Sequence, residues 1–255
     1  MLGNRIYMRI TILQSDIEWA QPEVNASRMK KLIESNPGSH LYVLPEMWST
    51  GFATNPQAIA ETDGKSLAWM KRTAARVNAA LCGSVAVRDE EGLFRNRFYF
   101  VRPDGSTDFY DKRHLFAFGG EDTHYTRGEQ RTVAQYGGFR FLLLTCYDLR
   151  FPVWSRYQGD YDAIIYVASW PDTRQEVWSL LLKARAIENQ CFVVGANRVG
   201  NDPVCRYTGG SAIIDAKGHT LAESTEAKEE TLTADLSIEE QNTFRSKFRV
   251  LDDRD

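Results

Sequence analysis

The hydrophobic pattern of this chain consists of short, nearly continuous apolar runs separated by amphipathic stretches. Leu41–Leu44, Phe139–Leu144 and Asp162–Val167 have the length and density of strands covered on both faces. Ile6–Leu13 alternates loosely and reads as a first strand, and Ala80–Val87, Cys191–Ala196, Gly210–Asp215 and Thr231–Leu236 read as further strands. Pro22–Ile33 carries an apolar stripe (Val24, Met29, Leu32, Ile33) and stops at Asn36-Pro37-Gly38, so it reads as a helix. Asp63 is expected to cap a second helix from Gly64 to Asn78, where Leu67, Met70, Ala74 and Val77 fall three or four apart. Thr173–Gln190 reads as a long helix, and Ser237 as the cap of a short one with Glu240 as its box partner. Arg95–Val101 and Thr107–Tyr110, joined by Pro103-Asp104-Gly105, form an expected hairpin. Strands alternating with helices, with hairpins in the middle and near the end, predict one α/β domain with mixed sheets over residues 1–255.

Two places break this pattern. Residues 112–131 form a loop with Gly119, Gly120 and Gly128 and no period, and a loop this long in a compact domain usually serves function. After Leu144 the polarity changes abruptly at Thr145-Cys146-Tyr147-Asp148, and Pro152 is expected to open a helix through the amphipathic segment Val153-Trp154-Ser155-Arg156-Tyr157. Cys146 therefore lies between a buried strand and a helix start, where unpaired amides favour a thiolate and then an oxyanion. Read alone, it is equally a buried, inert cysteine.

Composition narrows the class. A charged fraction of 25% and a net charge of −3 provide no footprint for nucleic acid or an anionic membrane. No apolar run reaches the roughly 18 to 20 residues of a membrane span. The first residues pass directly into the first strand without a signal-peptide core. Cys82, Cys146, Cys191 and Cys205 form no C-x-x-C pair and no disulfide framework, which predicts a reducing, cytoplasmic setting. Metal-ligand spacings, dinucleotide and nucleotide loops are missing, so no cofactor is expected.

A cysteine nucleophile needs a proton acceptor and an oxyanion partner. His40, His114, His124 and His219 show no pattern that marks a Cys-His pair. Glu46 follows the apolar run Leu41–Leu44 at a strand end, where ligands of open α/β sheets bind, although a solvated rim glutamate fits the same position. Lys112, in Tyr110-Asp-Lys-Arg-His-Leu-Phe116, reads either as part of a solvated charge run or as an ammonium converging with Glu46 and Cys146. In the second case it is expected to lower the thiol pKa.

Taken together, L-P-E-M-W at 44–48, Y-D-K-R-H-L-F at 110–116 and C-Y-D-L-R-F-P at 146–152 resemble the nitrilase (carbon–nitrogen hydrolase) superfamily. A-S-W-P at 168–171, K-A-R-A-I-E-N-Q at 183–190 and A-N-R-V-G at 196–200 extend the likeness, which within the superfamily is to bacterial omega-amidases. The resemblance implies a four-layer α-β-β-α sandwich with two mixed sheets. It implies Glu46 as general base, Lys112 as holder of the tetrahedral intermediate and Cys146 as nucleophile, passing through a thioester. Glu121 matches the family's second glutamate, with Asp122 as the neighbouring alternative. Tyr147 is expected to offer its backbone N–H to the oxyanion and Trp170-Pro171 to line the pocket mouth. Arg174 is a candidate partner for a substrate carboxylate. Asp148 and Arg150 are expected to form an ion pair bracing the turn, or else to bind substrate.

The implied substrates are small 2-oxo acid omega-amides, 2-oxoglutaramate first and 2-oxosuccinamate second, without cofactor or metal. Alternatives are another nitrilase-type amidase, carbamoylase or nitrilase, an acyltransferase, or a catalytically silent binding module. A homodimer is implied, with the tail 244–255 packed on its own domain or on a second subunit.

Overall fold

A computed structural model describes residues 7–225 and 227–254, so the reading of the first six residues lies outside it. The first half supplies β1 (Tyr7–Gln14), α1 (Pro22–Glu34), β2 (Leu41–Val43), α2 (Lys65–Val77), β3 (Ala80–Arg88), β4 (Phe94–Val101) and β5 (Thr107–Asp111). The second half supplies β6 (Val133–Tyr136), β7 (Phe139–Thr145), α3 (Pro152–Ser155), β8 (Ala163–Ala168), α4 (Gln175–Asn189) and β9 (Phe192–Asn197). It continues through β10 (Val199–Asn201), β11 (Arg206–Thr208), β12 (Ala212–Ile214) and β13 (Thr220–Glu223). The chain then enters β14 (Glu230–Ser237) and α5 (Ile238–Lys247).

Two six-stranded mixed sheets result, in the orders β14-β1-β2-β3-β4-β5 and β13-β12-β9-β8-β7-β6. Each has a parallel centre and antiparallel edges. Met8, Ile10, Val43 and Phe100 of the first sheet form one core with Phe141, Leu143, Ile165 and Val194 of the second. Strands buried on both faces cannot alternate, so β7 and β8 read as solid apolar runs. Met29, Ile33, Met70 and Ala74 of α1 and α2 cover the outer face of the first sheet. Trp178 and Leu182 of α4 cover the second, close against Gly195. The expected four-layer α-β-β-α sandwich is the observed one.

Several local expectations shift. Gly64, not Asp63, occupies the N-cap of α2, in a left-handed conformation. Glu61 takes the Ser66 amide at 2.8 Å, while Asp63 accepts from the Lys65 amide at 3.3 Å and pairs with Lys65 Nζ at 2.9 Å. The helix after Pro152 is a single turn, and Cys146–Arg150 forms a separate 3-10 turn before it. Thr231–Leu236 closes the first sheet by pairing with β1, a partner more than 200 positions away that local pattern does not reveal. The tail packs on its own domain. Leu251 is buried, Gln190 Nε2 donates to the Phe248 carbonyl at 2.8 Å, and Arg245 Nε donates to the Gln190 carbonyl at 2.8 Å. Among the described residues no helix is long and apolar enough to cross a membrane, and no cluster of His, Cys, Asp and Glu is arranged to hold a metal.

Candidate active site

Glu46 owes its place to the way the chain continues along β3 after β2 ends. The Leu44 amide donates to the Cys82 carbonyl at 2.8 Å and the Trp48 amide to the Ser84 carbonyl at 3.2 Å. A Cβ on Gly83 would lie 2.8 Å from Leu44 Cβ, so the close approach of this segment requires glycine. Met47 follows with φ +45°, a left-handed conformation that costs a non-glycine residue roughly 1–3 kcal/mol and here turns Glu46 inward. Glu46 is fully buried. Its Oε1 accepts from Asn96 Nδ2 at 2.8 Å and Lys112 Nζ at 3.0 Å, and its Oε2 from the Ser169 amide at 2.8 Å.

Lys112 follows β5 directly, and its amide donates to the Asn96 carbonyl of β4 at 3.0 Å. The loop 112–131 is ordered as two 3-10 turns, Ala117–Gly119 and Glu121–Thr123. It is tied back by the Gly128 amide on the Lys112 carbonyl at 2.9 Å. A Cβ on Gly128 would lie 2.1 Å from the Asp111 carbonyl oxygen, so only glycine can make that return. The second turn buries Glu121, with Oε2 2.9 Å from Lys112 Nζ and accepting the Phe116 amide at 2.6 Å. Asp122 is exposed. Burial opposes the Lys112 charge, but Glu121 and Glu46 outweigh it and hold the ammonium well above its ordinary range. Burial, with Glu46 as a second cause, pushes Glu121 up against the pull of Lys112.

Cys146 begins the 3-10 turn at φ +46°, again left-handed. The turn is anchored by Asp148, which is wholly buried. Its Oδ2 accepts from Tyr110 Oη at 2.8 Å and the Thr145 amide at 2.9 Å. Its Oδ1 faces the His114 amide at 2.9 Å and His114 Nδ1 at 2.8 Å. The expected Asp148–Arg150 ion pair is therefore not formed. Asp148 points into the molecule, and Arg150 lies over the Trp170 ring, 5.2 Å from its centroid. His114 stacks on Phe151 at 3.9 Å and belongs to the brace rather than to a Cys-His pair.

The Cys146 thiol feels the charges of Glu46, Lys112 and Glu121. Its pKa is not lowered as the lysine alone suggested. Burial first, and then the Glu46 carboxylate, push it well up, and one ammonium does not overcome two carboxylates in a dry site. In the resting site the proton stays on sulfur, with an acceptor beside it.

Lys112 and Cys146 open onto a cavity of about 370 Å³ walled by Phe52, Phe116, Tyr147 and Trp170. Trp170 is a buried wall rather than part of the rim, and its indole N–H donates to the Arg174 carbonyl at 2.8 Å. Arg150 and Arg174 both line the cavity, and neither has a carboxylate partner among the described residues. The Arg174 guanidinium lies 5.3 Å from the centroid of the Phe116 ring. Sequence reading placed Glu46, Lys112, Glu121, Cys146, Tyr147, Trp170 and Arg174 here. It missed Asn96, Ser169 and the orientation of Arg150. Only Asn96 carried a signal, as the one polar residue on the β4 face that it shares with Phe94, Phe98 and Phe100.

Two mixed sheets packed face to face, with a Lys and a Cys from separate strand ends at one cavity and a strand-end Glu hydrogen-bonded to that Lys, define a nitrilase-like protein. The carbon-nitrogen hydrolase family matches residues 9–245, and the chain belongs to that family. It is 43% identical to the omega-amidase YafV of Yersinia enterocolitica, over 97% of each chain. It is 35% identical to the 2-oxoglutaramate amidase of Bacillus subtilis, over 96% of each. Among solved structures, a CN-hydrolase superfamily protein from Xanthomonas campestris with an arsenic adduct in its active site superposes with a TM-score of 0.93. That pair is 39% identical, and the match covers 98% of this chain and 97% of the other.

Proposed function

We infer that this protein is an omega-amidase, hydrolysing the terminal amide of small 2-oxo dicarboxylate monoamides to the 2-oxo acid and ammonia. The relatives named above support the activity, and one structural observation carries the chemistry. A buried lysine sits between two buried carboxylates at the floor of a cavity that also holds a cysteine and two unpaired guanidiniums. Charge complementarity assigns the substrate carboxylate to Arg174 and Arg150, with planar guanidinium forks suited to it. The first choice is 2-oxoglutaramate and the second 2-oxosuccinamate.

In the reaction, Cys146 Sγ attacks the amide carbon as its proton passes to Glu46. The oxyanion lies against Lys112 and the Tyr147 amide, the second of the 3-10 turn that Cys146 begins, where the first amides lack an intrahelical acceptor. Glu46 returns the proton to the nitrogen as the C–N bond breaks, releasing ammonia and leaving a thioester. Water then loses a proton to Glu46 as it attacks the thioester, and that proton returns to sulfur as the acid departs. One proton carrier serves both halves, which explains why a thiol with a raised pKa suffices: it ionises only as it attacks. Glu121 holds Lys112 in register. The same reading has the enzyme working in the cytoplasm as a homodimer, and exposed Phe248 and Val250 on the tail support a contact there.

The test is ammonia release from 2-oxoglutaramate beside a panel of aliphatic nitriles and N-carbamoyl amino acids. The omega-amide is expected to dominate, and turnover is expected to vanish in Cys146→Ala. Undiminished turnover in a purified Cys146→Ala protein would rule the mechanism out, and preference for another substrate class would reassign the enzyme.

A further inference from the structure

We propose that Asn96 is a positioning residue of this site: its side-chain amide bridges Glu46 and Glu121, setting the direction from which Glu46 exchanges a proton with Cys146. The inference rests on Glu46 being the proton carrier. Asn96 lies on β4, 1% exposed, opposite Ala86 of β3. Its Nδ2 donates to Glu46 Oε1 at 2.8 Å and to Glu121 Oε1 at 3.2 Å, one hydrogen for each carboxylate. Its carbonyl accepts the Lys112 amide at 3.0 Å. One residue thus touches the base, the second glutamate and the lysine.

Three features separate this arrangement from ordinary core packing. Asn96 Oδ1 is buried and has no hydrogen-bond partner among the described residues, which costs stability that a hydrocarbon side chain of similar size would not. Turning the amide over would aim that oxygen at two carboxylates, so one orientation alone is compatible with the site. The cluster also holds two carboxylates and one ammonium. A second cation here would compete with Lys112 for both glutamates, whereas a neutral amide supplies two donors and no charge. With Asn96 in place, Lys112 is not the sole side chain holding Glu46, so it can turn toward the oxyanion without releasing the base.

The experiment compares wild type with Asn96→Leu, which keeps the bulk and loses both donors, and Asn96→Asp, which keeps the shape and replaces donors by charge. Steady-state rates on 2-oxoglutaramate are measured from about pH 5.5 to 9 alongside circular dichroism. The pH dependence of Cys146 alkylation by iodoacetamide is followed on the Cys146 peptide by mass spectrometry.

For Asn96→Leu, kcat is expected to fall about 10- to 100-fold with KM changed less than about threefold. The acidic limb of kcat/KM is expected to move up by about one pH unit, because a carboxylate that loses a donor holds its proton more tightly. Asn96→Asp is expected to be slower still. If Asn96→Leu does not fold, Asn96→Ser, whose single hydroxyl reaches at most one carboxylate, is expected to show a smaller loss and a smaller displacement of the limb. A folded Leu or Ser variant with the wild-type acidic limb and kcat, or with a change in KM alone, overturns the proposal. Failure of wild type to hydrolyse 2-oxoglutaramate would refute the substrate reading separately. The alkylation profile still decides the Asn96 role, since its displacement in Asn96→Leu supports that role and its coincidence with wild type overturns it.

Discussion

Replacing Asp148 with Asn tests whether the turn that Cys146 begins is held by an ionic brace remote from the cavity. Each carboxylate oxygen receives two contacts, Tyr110 Oη and the Thr145 amide on one, the His114 amide and Nδ1 on the other. An asparagine keeps one oxygen and must turn an NH2 toward the other pair. His114 Nδ1 can change tautomer, but Tyr110 Oη already accepts from the Arg113 amide at 2.9 Å and Trp154 Nε1 at 3.1 Å, and neither backbone N–H can accept. Whichever way the amide is placed, one buried N–H loses its acceptor, which costs about 1–3 kcal/mol. The remaining bonds lose their charge assistance, bringing the total to about 3–5 kcal/mol. For a chain of this size that lowers Tm by about 6–20 °C.

The catalytic effect comes from Cys146, whose left-handed backbone persists only while its surroundings over-determine it. With the Thr145 tether weakened, kcat at 25 °C is expected to fall at least about tenfold while the far-ultraviolet circular dichroism stays native. Tyr110→Phe removes one of the four contacts and is expected to cost about 1–2 kcal/mol, less than additively with Asp148→Asn. Thermal melts and steady-state ammonia release are sufficient assays. An Asp148→Asn protein that melts within about 2 °C of wild type and turns over at the same rate would refute the brace.

Arg174→Gln and Arg150→Gln are each expected to raise KM for 2-oxoglutaramate about 10- to 100-fold while leaving turnover of a neutral aliphatic amide unchanged, as competition assays would read. Gly128→Ala forces a methyl onto the Asp111 carbonyl and is expected to lose about 1–3 kcal/mol in urea unfolding, with kcat falling because the loop carrying Lys112 and Glu121 must move. Burial pushes the Cys82 and Cys191 thiols up, so they stay neutral in the fold while the unfolded chain ionises them in the ordinary thiol range. Their contribution is complete below that range and is lost above it, by about 1.4 kcal/mol per pH unit for each thiol. Urea midpoints between about pH 7 and 10 under reducing conditions should show that slope, and Cys82→Val should flatten it.

Where the sequence pattern failed, it failed at long range or at single-residue geometry. The runs at 41–44 and 139–144 were legible as buried strands because they are apolar on both faces. The edge strand β6 and the ribbon β10–β11 were not, since three or four residues of mixed polarity become strands only through a partner. Arg150 and Asp148 sit two apart in one turn, and charge alone pairs them. The turn sends one to the cavity and the other to a tyrosine and a histidine more than 30 positions away.

The residue order by itself determined an α/β chain with mixed sheets, because the strand and helix periods set which faces must be buried, while the four-layer stacking came from the resemblance. It also singled out Glu46, Lys112, Glu121 and Cys146 as candidates, because those side chains stand in recognisable local motifs. Tertiary structure alone decided that burial and Glu46 push the Cys146 thiol up, that Asn96 and Ser169 hold Glu46, and that Arg150 joins Arg174 at the cavity. Those properties depend on distances between segments about 25 to more than 120 positions apart and on the dryness of the space they enclose. Neither quantity is encoded at any single position along the chain.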